Sequence, residues 1–168
     1  ASPFKYLELD ILKPQNIADV LVKSRPDKIY HLAGFSSVGQ SFKFEEEVYK
    51  TNVLGTFHVL KAIKKHCPRA RVLVAGSSEE YGPATLEQLP ISEEKVPQPI
   101  SPYGVSKVAS SLMSLRESSR FAQDGLNLVV TRTFNLTGPG QQATYVCSDF
   151  ARQIAKATLA GQEELTLV

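Results

Sequence analysis

The chain has 168 residues, 42% of them hydrophobic, which is enough for one domain with a sizeable core and too little for two of ordinary size. A formal charge of +2, from 19 Lys and Arg against 17 Asp and Glu, leaves no basic footprint for nucleic acid or an anionic membrane. No apolar run approaches the ~18 residues of a membrane span, and the first residues do not resemble a signal peptide.

Tyr6 to Leu9 alternates and ends at Asp10, which predicts a short strand. Pro14 to Val22 carries Ile17, Val20 and Leu21 at helical spacing behind an initial proline. Lys28 to Ala33 is a short apolar run closed by Gly34, a buried strand by length and flanks. Between Glu45 and His66, Val48, Val53, Leu54, Phe57, Val59, Leu60 and Ile63 predict one long helix, stopped by Cys67-Pro68. Arg71 to Ala75 is the clearest strand, a continuous apolar run of the kind covered on both faces.

A polar stretch from Glu79 to Pro102 follows, holding Pro83, Pro90, Pro97 and Pro99. So long a connection in a compact domain is usually functional. Tyr103 to Phe121 predicts a helix with Val105, Val108, Leu112, Leu115 and Ser119 along one side. Asn127 to Arg132 predicts a strand, Thr133 to Ser148 a loop around Gly138-Pro139-Gly140, and Asp149 to Leu159 a helix. Leu165 to Val168 reads as the start of another strand.

Alternating strands and helices predict an α/β fold, a doubly wound parallel sheet with helices on both faces. In such sheets ligands bind beyond the carboxyl ends of the strands. Those ends carry Asp10, Ala33-Gly34, Gly76-Ser77-Ser78-Glu79 and Thr133-Phe134-Asn135. Tyr103 and Lys107 stand four residues apart at a helix start, on one helical face. A phenol holds a donatable proton at neutral pH, a nearby ammonium favours its phenolate, and a serine hydroxyl can steady charge on a substrate oxygen. Tyr-x-x-x-Lys alone is weak evidence; its place at the same sheet edge as Ser77 gives it weight. Cys67 and Cys147 lack metal-ligand spacing, and His31, His58 and His66 form no cluster with acidic residues, so no metal is expected. Reduced thiols in a cytoplasmic protein is the default expectation.

Five runs together carry a resemblance: His31-Leu32-Ala33-Gly34, Thr51 to Thr56, Gly76 to Gly82, Ser101 to Lys107, and Arg132 to Gln141. In this order they resemble the extended short-chain dehydrogenase/reductase family that acts on nucleotide sugars. The runs Ser77 to Gly82, Phe134 to Gln141 and Ser148 to Ala155 look most like GDP-4-dehydro-6-deoxy-mannose reductases. The resemblance implies a Rossmann-like domain, NAD or NADP, a nucleotide-sugar substrate (GDP-linked favoured), and a homodimer built on the helices at 45–66 and 103–121. The family's Gly-x-x-Gly-x-x-Gly turn, which cradles the cofactor pyrophosphate, has no counterpart in the sequence. An internal fragment is therefore expected, N-terminally truncated, with residues 1–140 a partial NAD(P)-binding domain and 141–168 the start of a sugar-nucleotide region.

By resemblance, Ser77 hydrogen-bonds the sugar C4 oxygen, Tyr103 gives it a proton, and Lys107 holds the nicotinamide ribose and makes Tyr103 more acidic. Asp10 and Ile11 would meet the adenine. Leu32, Ala33, Gly34 and Ser36 would line the adenosine and pyrophosphate, with Asn52 ordering the surrounding loop. Thr133 and Leu136 would reach the nicotinamide end. Ser78, Glu79, Asn135, Tyr145, Val146 and Arg152 would face the sugar nucleotide. The implied reaction is NAD(P)H-dependent reduction of the C4 ketone of a GDP-4-keto-6-deoxy sugar. Glu79 matches the base of related dehydratases and keeps a 4,6-dehydratase or 4-epimerase open, although Ser78 stands where dTDP-glucose dehydratases carry an acidic aspartate. Taken alone, the 168 residues could also be an inactive fold fragment. Several assigned residues have plain structural roles open to them: Ser77 as a backbone cap, Asp10 as a helix-preceding carboxylate, Arg152 as a solvated helix residue.

Overall fold

Three strands, β1 (Lys28–His31), β2 (Arg71–Ala75) and β3 (Asn127–Thr131), pair in parallel in the order β1-β2-β3. The computed structural model describes residues 4–119 and 123–162, and the chain divides into a unit spanning 1–134 and a second spanning 135–168. The Rossmann-like alternation is present: α1 (Pro14–Ser24) precedes β1, α2 (Val38–Ser41), α3 (Glu45–Tyr49) and α4 (Thr56–His66) lead to β2, and α5 (Pro102–Arg116) leads to β3. The second unit contains α6 (Val146–Leu159). No helix among the described residues is long and apolar enough to cross a membrane.

Register shows which face holds the core. Val72 pairs with Ile29 on one side and Leu128 on the other, and Val74 with His31 and Val130, so these side chains share one face. That face packs on Ile17 and Leu21 of α1 and on Val59, Leu60 and Ile63 of α4. Burying an aliphatic side chain of this size contributes about 1.5–3 kcal/mol, so this cluster dominates the stability of the first unit. The opposite row, Tyr30–Leu73–Val129, is much more open, with Tyr30 64% and Val129 59% exposed. Right-handed crossovers that advance in one direction put every connecting helix on the same side. Among the described residues of this unit the helical cover lies on the core face, and Tyr30 leaves β1 less buried than its apolar run predicts.

Other expectations need correction. Tyr6 to Leu9 forms no strand, and Tyr6 is largely exposed; alternation supplies a pattern but not a partner to complete a ladder. The predicted helix at 45–66 is interrupted by a π-helical segment, Lys50–Gly55. Its buried side carries Val48, Asn52, Gly55, Thr56, Val59, Leu60 and Ile63, while Leu54 and Phe57 face solvent. The helix expected to reach Phe121 ends at Arg116; residue 121 itself, and the strand expected at 165–168, lie outside the described residues.

On α5 the expectation is inverted. Gly104, Ser106, Ser110, Ser111 and Ser114 are buried, whereas Val105 and Leu112 are exposed. Small side chains let α5 approach the π-helical segment closely, and serine hydroxyls can be satisfied on carbonyls one turn back. Ser110 Oγ lies 2.8 Å from the Ser106 carbonyl and 2.7 Å from the Asn52 carbonyl, and Ser114 Oγ lies 2.7 Å from the Ser110 carbonyl. A π turn breaks the regular i→i−4 pattern, and Ser110 engages one of its carbonyls.

At the end of β2 the backbones close tightly. The Gly76 amide donates to the Thr131 carbonyl at 2.7 Å, and a Cβ on Gly76 would sit 2.2 Å from that same oxygen. Gly76→Ala is expected to destabilise the protein by about 2 kcal/mol or more, in the range for overpacking, measured as a lower urea midpoint at unchanged m-value.

Candidate active site

Ser77 follows Gly76 and starts a 3₁₀ turn, Ser78–Glu80. Its hydroxyl accepts from the Glu79 amide at 3.2 Å, an arrangement that leaves the hydroxyl proton to donate. Ser77 is thus a backbone cap, and capping alone does not use up its chemistry. The Ser78 amide donates to the Thr133 carbonyl at 2.9 Å, so the turn is held to the end of β3.

Ser101 caps α5, accepting from the Gly104 amide at 3.0 Å, and Pro102 occupies the first turn where its missing N–H costs nothing. Tyr103 is half-buried in that turn. A Cβ on Gly104 would stand 2.9 Å from the Glu79 carbonyl oxygen, so only glycine lets the turn carrying Tyr103 rest on the turn carrying Ser77 and Glu79. Lys107, four residues on, donates its ammonium to the Ala75 carbonyl at the end of β2. Burial lowers the Lys107 pKa, and the Glu80 carboxylate opposes that effect.

Asn52 connects β1 to the same helix. Its Oδ1 accepts from the Phe35 amide at 2.7 Å, and its Nδ2 donates to Ser106 Oγ at 2.8 Å. The Ser106 hydroxyl in turn donates to the Tyr103 carbonyl at 2.7 Å. The turn after β1 is thereby tied to the backbone of Tyr103. Gly34 makes room, since a Cβ there would lie 2.8 Å from Asn52 Oδ1. Leu32, Ala33, Gly34 and Ser36 are exposed along this turn.

Other candidates divide. Ile11 is spent on packing: it is 8% exposed, and its Cδ1 lies 2.6 Å from where a Cβ on Gly55 would stand. Asp10 accepts from the Leu12 amide at 2.9 Å and faces Lys13 at 3.6 Å. Thr133 is half-buried, its hydroxyl 3.1 Å from that of Thr131. In the second unit Asn135, Leu136, Tyr145 and Val146 are exposed, and Arg152 pairs with Asp149 at 2.5 Å. There Gln141 organises the loop, with its Oε1 3.0 Å from Thr137 Oγ1 and 2.7 Å from Ser148 Oγ. No group of three His, Cys, Asp or Glu that could hold a metal occurs among the described residues.

Sequence reasoning passed over two residues. Glu80 lies wholly buried among the site residues; the Ser-x-x-Glu spacing from Ser77 is the capping-box signal that points to it. His31 is also buried, with Nε2 2.9 Å from Thr56 Oγ1. Burial and then the Lys107 charge take its pKa from 6.5 to about 4, so His31 is neutral in the folded protein. A histidine that charges only on unfolding makes the folded state lose stability as pH falls from about 6.5 toward 4, by up to about 3 kcal/mol. NMR should show the His31 ring resonances constant between about pH 8 and pH 5, and His31→Gln should flatten that part of the stability profile.

The family described as GDP-mannose 4,6 dehydratase matches residues 1–168. GDP-6-deoxy-D-mannose reductase of Pseudomonas aeruginosa is 36% identical over 154 residues, 92% of this chain and 48% of that protein. The structure of RMD from Pseudomonas aeruginosa complexed with NADPH superposes with a TM-score of 0.82 at 35% identity, covering 96% of this chain and 53% of that one. UDP-glucose 4-epimerase from Brucella ovis in complex with NAD gives 0.69 at 30% identity, covering 77% and 38%. The chain spans about half the length of the curated reductase it matches.

Proposed function

The chain belongs to the GDP-mannose 4,6-dehydratase family of extended short-chain dehydrogenases/reductases, and from that membership we propose that the full-length protein reduces the C4 ketone of a GDP-linked 4-keto-6-deoxy sugar with NADPH or NADH. The observation that carries the reading is the seating of the Lys107 ammonium on the Ala75 carbonyl, two residues before Ser77 and one helical turn after Tyr103. The residues present fit the nicotinamide end of such a cofactor: an ammonium and a phenol share one face of α5, beside a glycine turn open at Leu32–Gly34. When bound, the nicotinamide supplies hydride.

In this reading the chain positions and polarises. Ser77 donates its hydroxyl proton toward the C4 oxygen as negative charge grows there. Tyr103 delivers the proton, and the Lys107 charge keeps the phenol acidic enough to do so. Asp10 offers Oδ2 to the adenine amine, Ile11 acts through its backbone, and Leu32, Ala33, Gly34 and Ser36 line the dinucleotide. Thr133 and Leu136 border the nicotinamide. Ser78, Glu79, Asn135, Tyr145, Val146 and Arg152 contact the sugar nucleotide, whose region begins near residue 141. Exposed Leu54, Phe57, Val105 and Leu112 on the adjoining α4 and α5 region support a homodimer through these helices.

A second reading is kept by Glu79 and by the epimerase likeness: a dehydratase or 4-epimerase, which regenerates its cofactor. The full-length protein, supplied with GDP-4-keto-6-deoxymannose and NADPH, is expected to consume cofactor in step with product. Tyr103→Phe should lower kcat about 1,000-fold with little change in KM. Product formed without net cofactor consumption would reject reduction.

A further inference from the structure

Glu80 has no role in the chemistry above, yet its side chain is 0% exposed. An acid buried so completely needs partners, and these come from each catalytic element. Oε1 accepts from the Ser77 amide at 2.9 Å and from the Ser111 hydroxyl at 2.9 Å. Oε2 faces Arg132 Nε at 3.3 Å, an ion pair without the alignment of a hydrogen bond. The Glu80 carbonyl accepts from the Gln98 amide at 3.1 Å.

Tyr103, Lys107 and Ser111 recur at four-residue intervals and so form one stripe of α5. A single carboxylate therefore holds the strand-end serine, the stripe bearing the phenol and ammonium, and the end of β3. The fit has no slack, because a Cβ on Gly76 would stand 2.4 Å from Oε1. Resting on the reductase reading, we propose that Glu80 is a positioning residue that sets Ser77 against the Tyr103–Lys107 stripe and, held by Ser111, places a negative charge one helical turn from Lys107.

The charges around this pair fix the sign of the effect. Burial lowers the Lys107 pKa and the Glu80 charge raises it again. Desolvation raises that of Glu80, against the Ser77 amide, Ser111, Arg132 and Lys107. His31 at the end of β1 is neutral, Arg132 adds positive charge from the end of β3 and lies 5.0 Å from the centre of the buried Tyr81 ring, and Tyr103 and Glu79 are further titratable groups of the adjoining turns. With the Glu80 charge removed, Lys107 loses its proton at lower pH.

Glu80→Gln keeps an acceptor for Ser77 and Ser111 but not the charge; Glu80→Asp keeps the charge and withdraws the acceptor. In the full-length protein, Glu80→Gln is expected to lower the Lys107 titration midpoint, followed by NMR of its side chain. It should move the alkaline limb of kcat the same way and cut kcat about 10-fold, with KM within about 2-fold. Glu80→Asp should leave the midpoint in place while kcat falls. An unchanged Lys107 midpoint in Glu80→Gln, or failure of both variants to fold, overturns the proposal. Wild-type cofactor consumption tests the reductase reading separately, since the NMR midpoint does not depend on turnover.

Discussion

Beyond the last residue of β2 the parallel ladder continues, through Gly76 to Thr131 and through Ser78 to Thr133. These two hydrogen bonds hold the chain leaving β2 against the chain leaving β3, at the rim where parallel sheets present ligands. Gly76 can have no side chain there, Ser77 has a fixed start to its turn, and Lys107 finds the Ala75 carbonyl within reach. Each chemical group in the site is measured from this short length of extended backbone. A displacement of the ladder would shift the serine, the ammonium and the buried carboxylate together.

The second constraint is the serine face of α5. An apolar inner face would bury more hydrocarbon, at roughly 25 cal/mol per Å². It would also hold the helix farther from the π-helical segment and from the turn after β1. Small residues give up some of that burial for proximity, and their hydroxyls are satisfied locally, by Asn52 or by Glu80. Val105 and Leu112 of this helix are left outside.

Much of the architecture was legible because its signals are local. The run at 71–75, the proline-led start of α1 and the Cys67-Pro68 stop each act within a few residues. The gathering of Ser77, Glu79, Tyr103 and Lys107 near one rim followed from strand direction alone. Which side of a helix is buried was not legible, because apolar spacing marks the inner face only where the core is apolar, whereas here a serine face meets an asparagine-bearing turn. The burial of Glu80 was hidden for a similar reason. Beside Glu79 it looks like half of an acidic pair in a polar loop, and its seat depends on Arg132 and Ser111, which are remote in sequence. The Tyr6–Leu9 segment failed differently, since an alternating pattern carries no information about a neighbouring strand.

The π-helical segment at 50–55 has a consequence for how this chain can vary. Successive α-helical residues turn by about 100°, so one residue added or removed there would rotate everything downstream by roughly that angle. Val59, Leu60 and Ile63 would swing away from the sheet while Asn52 kept its place at the turn after β1. The wide turn works as a phase adjuster, letting one continuous rod serve two differently oriented neighbours. Length changes in this rod therefore have to restore that angle, while the exposed loop between Gly82 and Pro97 is under no such rotational constraint.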